Sequence, residues 1–367
     1  AMREGLCMRY ALLAPPRDDF LGRLLSGLRG VLDLHGHQPT TADDPDLGLA
    51  IQVADPADPR PFRRQSRGTF VVTLMEGEPG DNLLQRAYPY LVRTLSNLLI
   101  YVIDQDGHRS LHFITPELGH YQIAYEARNE GAFFEEVYER LRPLAQSRFV
   151  LDNVFEPDLP EALWDGNETT RALARAGQRL AALDLLPAPF PLEQYLSPRD
   201  LRHLKLLYGI GGLSYGNLSA RHEGNTFWMS ASGIDKSRME VVGRDILLVK
   251  DYDPERQAMI LSVPADREPR RVSVDAIEHW MIYREHPEVQ AIIHVHAWMD
   301  GVPSTEANYP CGTYELATAV AELVRQAPDP AAAVIGLKNH GLTITGRSLE
   351  DIFERIEGRI QRQVPMS

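Results

Sequence analysis

Cysteine is nearly absent: Cys7 and Cys311 are the only two among 367 residues. A pair so far apart cannot make a disulfide framework. This excludes the small stapled secreted folds and predicts a reducing, cytoplasmic setting. Long apolar runs are missing too. None approaches the roughly 20 residues a membrane helix needs, and Ala1–Cys7, with Arg3 and Glu4, lacks the apolar centre of a secretory signal. Positive charge is scarce: 38 Lys+Arg stand against 51 Asp+Glu, a formal net charge of −13. That balance argues against nucleic acid or an anionic membrane as partner, because phosphate contact needs a positive footprint. One basic run, Arg60, Arg63, Arg64 and Arg67, reads as a solvated loop or, more sharply, as a recruited anion site. No phosphate-cradling GxGxxG or GxxxxGK[ST] follows the first apolar strand, so the opening does not read as a nucleotide-binding unit.

The length is more than one typical domain needs, and 44% hydrophobic with 24% charged residues supplies two cores. Residues 8–154 read as a smaller α/β domain whose residues do not disclose its role. Its signals are apolar strands at Met8–Ala14, Leu47–Val53 and Thr69–Met75, and a helix with Phe20, Leu24, Leu28 and Val31 at helical spacing. Asp106-Gly107 between two further apolar runs predicts a hairpin. A Pro- and acid-rich stretch, roughly Phe155–Asn167, reads as a linker to a second domain over 165–367. Prolines interrupt that second domain near 187–209, and its last helix is predicted over Leu349–Gln361.

The segment Ala291-Ile-Ile-His-Val-His-Ala297 carries the chemistry. Side chains two apart on a strand share a face, so His294 and His296 project together while Val295 points into the opposite layer. Two such imidazoles can bind one metal ion, or they can be a hydrogen-bonded pair beside a core. Asn339-His340-Gly341 favours the metal. It falls between two apolar runs, where Gly341 permits a tight turn or a close backbone approach. Three histidines at strand ends, with carboxylates in the chain, have the composition of a catalytic zinc site with an open position.

Further motifs surround these histidines: Gly216-Asn-Leu-Ser-Ala-Arg221, Ser230-Ala-Ser-Gly-Ile234, Ser273-Val-Asp275, Tyr283 and Gly312-Thr-Tyr-Glu-Leu-Ala317. With His294-Val-His296 and Asn339-His-Gly341 they follow the order seen in the class II aldolase/adducin-like family, which the chain resembles from roughly Thr170 onward. The resemblance implies an α/β/α sandwich around a mostly antiparallel sheet, and a homo-oligomer, most often a tetramer. It implies zinc, or another divalent ion such as Mn2+ or Co2+, on His294, His296 and His340. Asp275 takes the position of the family's catalytic carboxylate, where it could ligate the ion or move a proton; it could equally cap the following helix. Asn217, Ser232, Gly233 and Ser273 match the substrate-binding positions. Val274 replaces a second serine there, which removes one hydroxyl from the expected phosphate cradle.

The stretch from His296 to Gly312 is short for the family, and no tyrosine follows Tyr314. Tyr309 and Tyr314 are the only nearby phenols downstream of the histidines, and Tyr309 is taken as the candidate acid/base residue. The function expected is a metal-dependent aldolase-type lyase acting on a small hydroxy-carbonyl, sugar-like substrate through a metal-stabilised enediolate. A 4-epimerase, dehydratase or decarboxylase on the same scaffold is the alternative within enzymes, and a non-catalytic adducin-like binding module the alternative outside them.

Overall fold

The computed structural model describes residues 7–186, 188, 190–208 and 215–367, without the side chains of 205–208. Pro187, Pro189 and Gly209, part of the interruption read from the sequence, lie outside the described residues. The fold is mixed α/β with two sheets.

The first sheet is formed by β1 (Arg9–Leu12), β2 (Gln38–Pro39), β3 (Leu49–Val53), β4 (Phe70–Gly77), β5 (Leu98–Gln105), β6 (His108–Ile114) and β7 (His120–Ala124), in the order β2-β1-β3-β4-β5-β6-β7. The strands from β2 to β5 pair in parallel; β5, β6 and β7 pair antiparallel. Parallel strands are covered on both faces, so they read as continuous apolar runs, and Phe70–Met75 of β4 is buried throughout. Asp106 (φ 55°) and Gly107 (φ 81°) turn β5 into β6, as the hairpin signal predicts. Helices α1 (Phe20–Leu34), α2 (Leu83–Arg93) and α3 (Glu130–Ala145) complete this half. Asp19 caps α1 by accepting from the Gly22 amide, and Leu24, Leu28 and Val31 bury the predicted stripe. Pro89 sits inside α2, and the helix runs on through it.

The second sheet holds β8 (Asp152–Glu156), β9 (Asn217–Arg221), β10 (Phe227–Ser230), β11 (Ile246–Asp253), β12 (Ala258–Ser262), β13 (Ala291–Val295), β14 (Val334–Leu337) and β15 (Gly341–Gly346). Their order is β14-β15-β13-β9-β10-β11-β12-β8, antiparallel except for β8 beside β12. The helices of this half are α4 (Glu168–Ala182), α5 (Pro198–Tyr208), α6 (Ala276–Glu285), α7 (Tyr314–Gln326) and α8 (Leu349–Ile356).

Two local expectations change. The stretch taken as linker from Phe155 begins inside β8, the edge strand, whose backbone pairs with β12. The last helix stops at Ile356, because Gly358 takes the left-handed conformation (φ 77°) that ends helices.

The proline-interrupted segment joins the halves. Phe190, Leu192, Leu196, Leu204 and Tyr215 share one apolar cluster with Tyr88, Leu91 and Val92 of α2 and Tyr101 of β5. Arg93 of α2 pairs with the buried carboxylate of Asp200 at 3.1 Å, and Arg148 pairs with Glu315 at 3.2 Å. β13, wholly buried, lies between β9 and β15, so its end is held from both sides where the halves meet.

Candidate metal centre

His294 belongs to β13 and His296 stands just beyond its end. His340 arrives from the turn between β14 and β15, where Asn339 adopts φ 58°. Two glycines allow this crowding. A Cβ on Gly341 would stand 2.2 Å from the Val295 carbonyl, and one on Gly216 (φ 87°) 2.4 Å from that of His294. Either side chain would push a neighbouring strand off the end of β13.

The three rings meet at centroid separations of 5.1, 4.8 and 4.8 Å, and one nitrogen from each lies within 4.8 Å of the others. His294 Nδ1 lies 2.9 Å from the Leu342 carbonyl, which can only accept, so Nδ1 carries the proton and Nε2 a lone pair. That Nε2 is buried and has no hydrogen-bond partner among the described residues. His340 Nε2 and His296 Nε2 face each other at 3.1 Å. Burial lowers all three pKa values, that of His340 to about 3, so the imidazoles are neutral donors. An unsatisfied lone pair beside two more fits a divalent cation, with a backbone carbonyl orienting the first ligand from behind.

Asp275 is 5% exposed and lies near the triad; its charge favours protonated His294 and His340, against their burial. Its Oδ2 accepts from Asn217 Nδ2 at 2.8 Å, and it makes no side-chain cap bond to α6. The cap reading thus gives way to a carboxylate turned toward the cavity, and Asn217 Oδ1 remains buried without a partner. Glu278 of α6 accepts from Thr343 Oγ1, and burial, then the neighbouring Asp275, pushes its pKa well up.

These groups open onto a cavity of about 770 Å3. Asn217, Ser232, Gly233, Ser273, Asp275, His294 and His296 all line it. Tyr309 does not: it packs against the core of the second sheet, while its neighbours Asn308, Pro310 and Cys311 form the wall.

Several groups escaped the sequence reading. Glu117, on the turn between β6 and β7, reaches the cavity from the N-terminal half, near enough to the Cys311 thiol to help raise its pKa. Cys311 Sγ lies 3.4 Å from His340 Nε2, and burial followed by the Glu117 charge keeps it a thiol. Leu118 (φ 68°), a Tyr88 hydroxyl donating to the Pro116 carbonyl at 2.7 Å, and Gly119 packed against the Asn339 carbonyl hold the Glu117 turn in place. Tyr215 stacks 5.3 Å from His296. Lys236 and Arg140 also face the cavity. Of these the sequence reading names only Cys311, and there to exclude a disulfide framework.

Comparison with known proteins finds the same family over part of the second half. Residues 201–304 match the family model of the Class II Aldolase and Adducin N-terminal domain. No curated protein matches. Among solved structures, an L-fuculose 1-phosphate aldolase is 20% identical, covering 52% of this chain and 81% of its own, at a TM-score of 0.36. YgbL from Klebsiella pneumoniae is 17% identical over 52% of this chain and 84% of its own, at 0.35. An aldolase II superfamily protein from Pseudomonas syringae is 18% identical over 52% and 70%, at 0.35.

Proposed function

We propose that this chain is a class II aldolase-type lyase that cleaves a small hydroxy-carbonyl, sugar-like substrate, with its ion on His294, His296 and His340. The observation that carries this is the buried, unpartnered Nε2 of His294 facing two more neutral imidazoles. A divalent ion held there, zinc or else Mn2+ or Co2+, would supply the positive charge that lowers the barrier to negative charge on a substrate oxygen.

The remaining work falls to the protein. Asp275, oriented by Asn217, moves a proton between the substrate and the site. Burial, by raising the pKa of Glu278, favours its neutral form and limits competing negative charge. Asn217, Ser232, Gly233 and Ser273 hold the polar substrate in register. Glu117 and Cys311, one from each half, both line the cavity.

We read the sheet of the second half as the centre of an α/β/α sandwich, the protein as cytoplasmic, and the assembly as a homotetramer. No described helix is long and apolar enough to cross a membrane. Metal analysis after expression in supplemented medium tests the central point: about one transition ion per subunit is expected, and none would pass the lead to a non-catalytic, adducin-like module. Light scattering tests the assembly. A mass at the 41.3 kDa of one chain, at micromolar concentration, would refute the tetramer.

A further inference from the structure

The charge of the cavity opposes that of the chain. Overall the chain carries −13, yet the cavity gathers Lys236 and five arginines, Arg64, Arg67, Arg140, Arg270 and Arg271. Among the described lining residues the only carboxylates are Glu117 and Asp275. Part of this charge is engaged locally. Arg67 pairs with Asp152 at 2.9 Å, Arg64 donates to Asn97 Oδ1 at 2.7 Å, and Arg271 donates to the Leu151 carbonyl.

Two of the cations, Lys236 and Arg140, come to the cavity from different halves. Lys236 is 3% exposed and has no ion pair among the described residues. Burial pushes its pKa down to about 8, opposed by Asp235 and then Asp275. Its position is built in. A Cβ on Gly177 of α4 would stand 1.9 Å from the Lys236 carbonyl, so the backbone lies directly on the helix and the side chain cannot withdraw to the surface. Arg140 comes from α3 of the N-terminal half. Its guanidinium lies over the Tyr121 ring, 5.6 Å from the centroid, and its Nε is buried without a partner. It too has no ion pair among the described residues. An ammonium on a largely buried lysine with no ion pair, and a buried guanidinium N–H without an acceptor, are unfavourable unless something anionic satisfies them.

We propose that the cavity is an oxyanion site shared by the two halves, in which Lys236 and Arg140 hold a phosphate or carboxylate of the substrate. On this assignment Arg64, Arg270 and Arg271 line the approach, and the N-terminal half is the substrate-recognition wall. The field of a cleft lined by one sign of charge draws anions toward it. The size fits, since cavities of ~300–1,000 Å3 enclose drug-sized ligands. The assignment rests on the lyase reading only for placing the reacting carbonyl at the triad.

The experiment is titration calorimetry on the full metal-loaded chain, with inorganic phosphate and malonate as separate probes. One equivalent of one probe is expected to bind, and its identity distinguishes phosphate from carboxylate. Lys236→Met and Arg140→Gln should each weaken it by about tenfold or more, the scale of a lost charge-assisted hydrogen bond. Both should keep their metal content and fold, and Arg140→Gln carries the test if Lys236→Met does not fold. His294→Ala separates the two readings: loss of the ion with anion binding kept within about threefold supports an independent oxyanion site. Binding that disappears in His294→Ala but survives in Lys236→Met and Arg140→Gln would put the anion on the ion and overturn the proposal. So would the absence of binding by either probe at millimolar concentration. Wild-type protein that binds anion but no metal would instead sink the lyase reading and leave this one standing.

Discussion

Each half of the molecule buries a histidine cluster on its strands, and the two clusters are finished differently. In the N-terminal half His112 Nε2 meets Ser110 Oγ at 3.0 Å and Nδ1 meets His120 Nε2 at 2.9 Å, so both ring nitrogens are taken. In the C-terminal half the carbonyl of Leu342 takes one nitrogen of His294 and the other is left buried with nothing to bond among the described residues. Both clusters are buried histidines with lowered pKa values, His112 at about 4 and His340 at about 3. Lowered basicity therefore does not separate a structural pair from a ligand set. Convergence differs: one ring nitrogen from each of His294, His296 and His340 lies within 4.8 Å of the others, whereas His112 and His120 bond to each other.

The sharpest way to break this comparison is to remove a histidine from each cluster. His294→Ala or His296→Ala should take bound metal from about one ion per subunit to none by elemental analysis, whereas His112→Ala should leave it unchanged. Equal losses would mean that the convergence of the nitrogens is not diagnostic.

Next in size is the contrast between Asp275 and Asp19, two carboxylates at helix starts. Asp275→Asn should keep the fold, since the amide oxygen can still accept from Asn217 Nδ2. It should cut turnover by roughly 10²-fold or more, measured on a panel of paired phosphorylated and free hydroxy-carbonyl compounds. Asp19→Ala removes a real cap and should lower stability by about 1 kcal/mol in a denaturant melt, with turnover untouched.

Two glycines make a third pair. Gly341→Ala drives a methyl against the Val295 carbonyl and should destabilise by about 1–3 kcal/mol while weakening metal retention. Gly30→Ala, in the exposed interior of α1 with nothing within 4 Å, should instead stabilise by about 0.5–1 kcal/mol. Matching signs in thermal melts would show that close approach at β13 is not what requires Gly341.

The smallest effect is the acid response of His112. Its folded pKa, about 4, lies below the ordinary 6.5, so the unfolded chain binds more protons between those values. Stability is then complete above pH 6.5 and falls as the pH drops toward 4. His112→Gln should flatten that part of a stability-versus-pH curve, and an unchanged slope would mean that the pair titrates as it would in water.

Much of the site was legible in the chain. His294-Val-His296 on an apolar run can only mean two imidazoles on one face, because strand side chains alternate with period two. The Asp19 cap, the Asp106-Gly107 hairpin and the helical stripe of Phe20, Leu24 and Leu28 are local in the same sense. The strand Ala258–Ser262 went unread and the end of the edge strand β8 was taken for linker, because such short strands are defined by their neighbours rather than by their own residues.

What the sequence by itself determined is therefore the set of candidate ligands and their pairing along β13. Only the tertiary structure decided which groups surround them. It turned Asp275 toward Asn217 rather than onto its helix end and left Tyr309 in the core wall. It also brought Glu117 and Arg140 of the first half into a cavity with Lys236 of the second. The reason is range. Periodicity and capping act over a few residues, while burial, close approach across a glycine and the meeting of two halves join positions that no local pattern links.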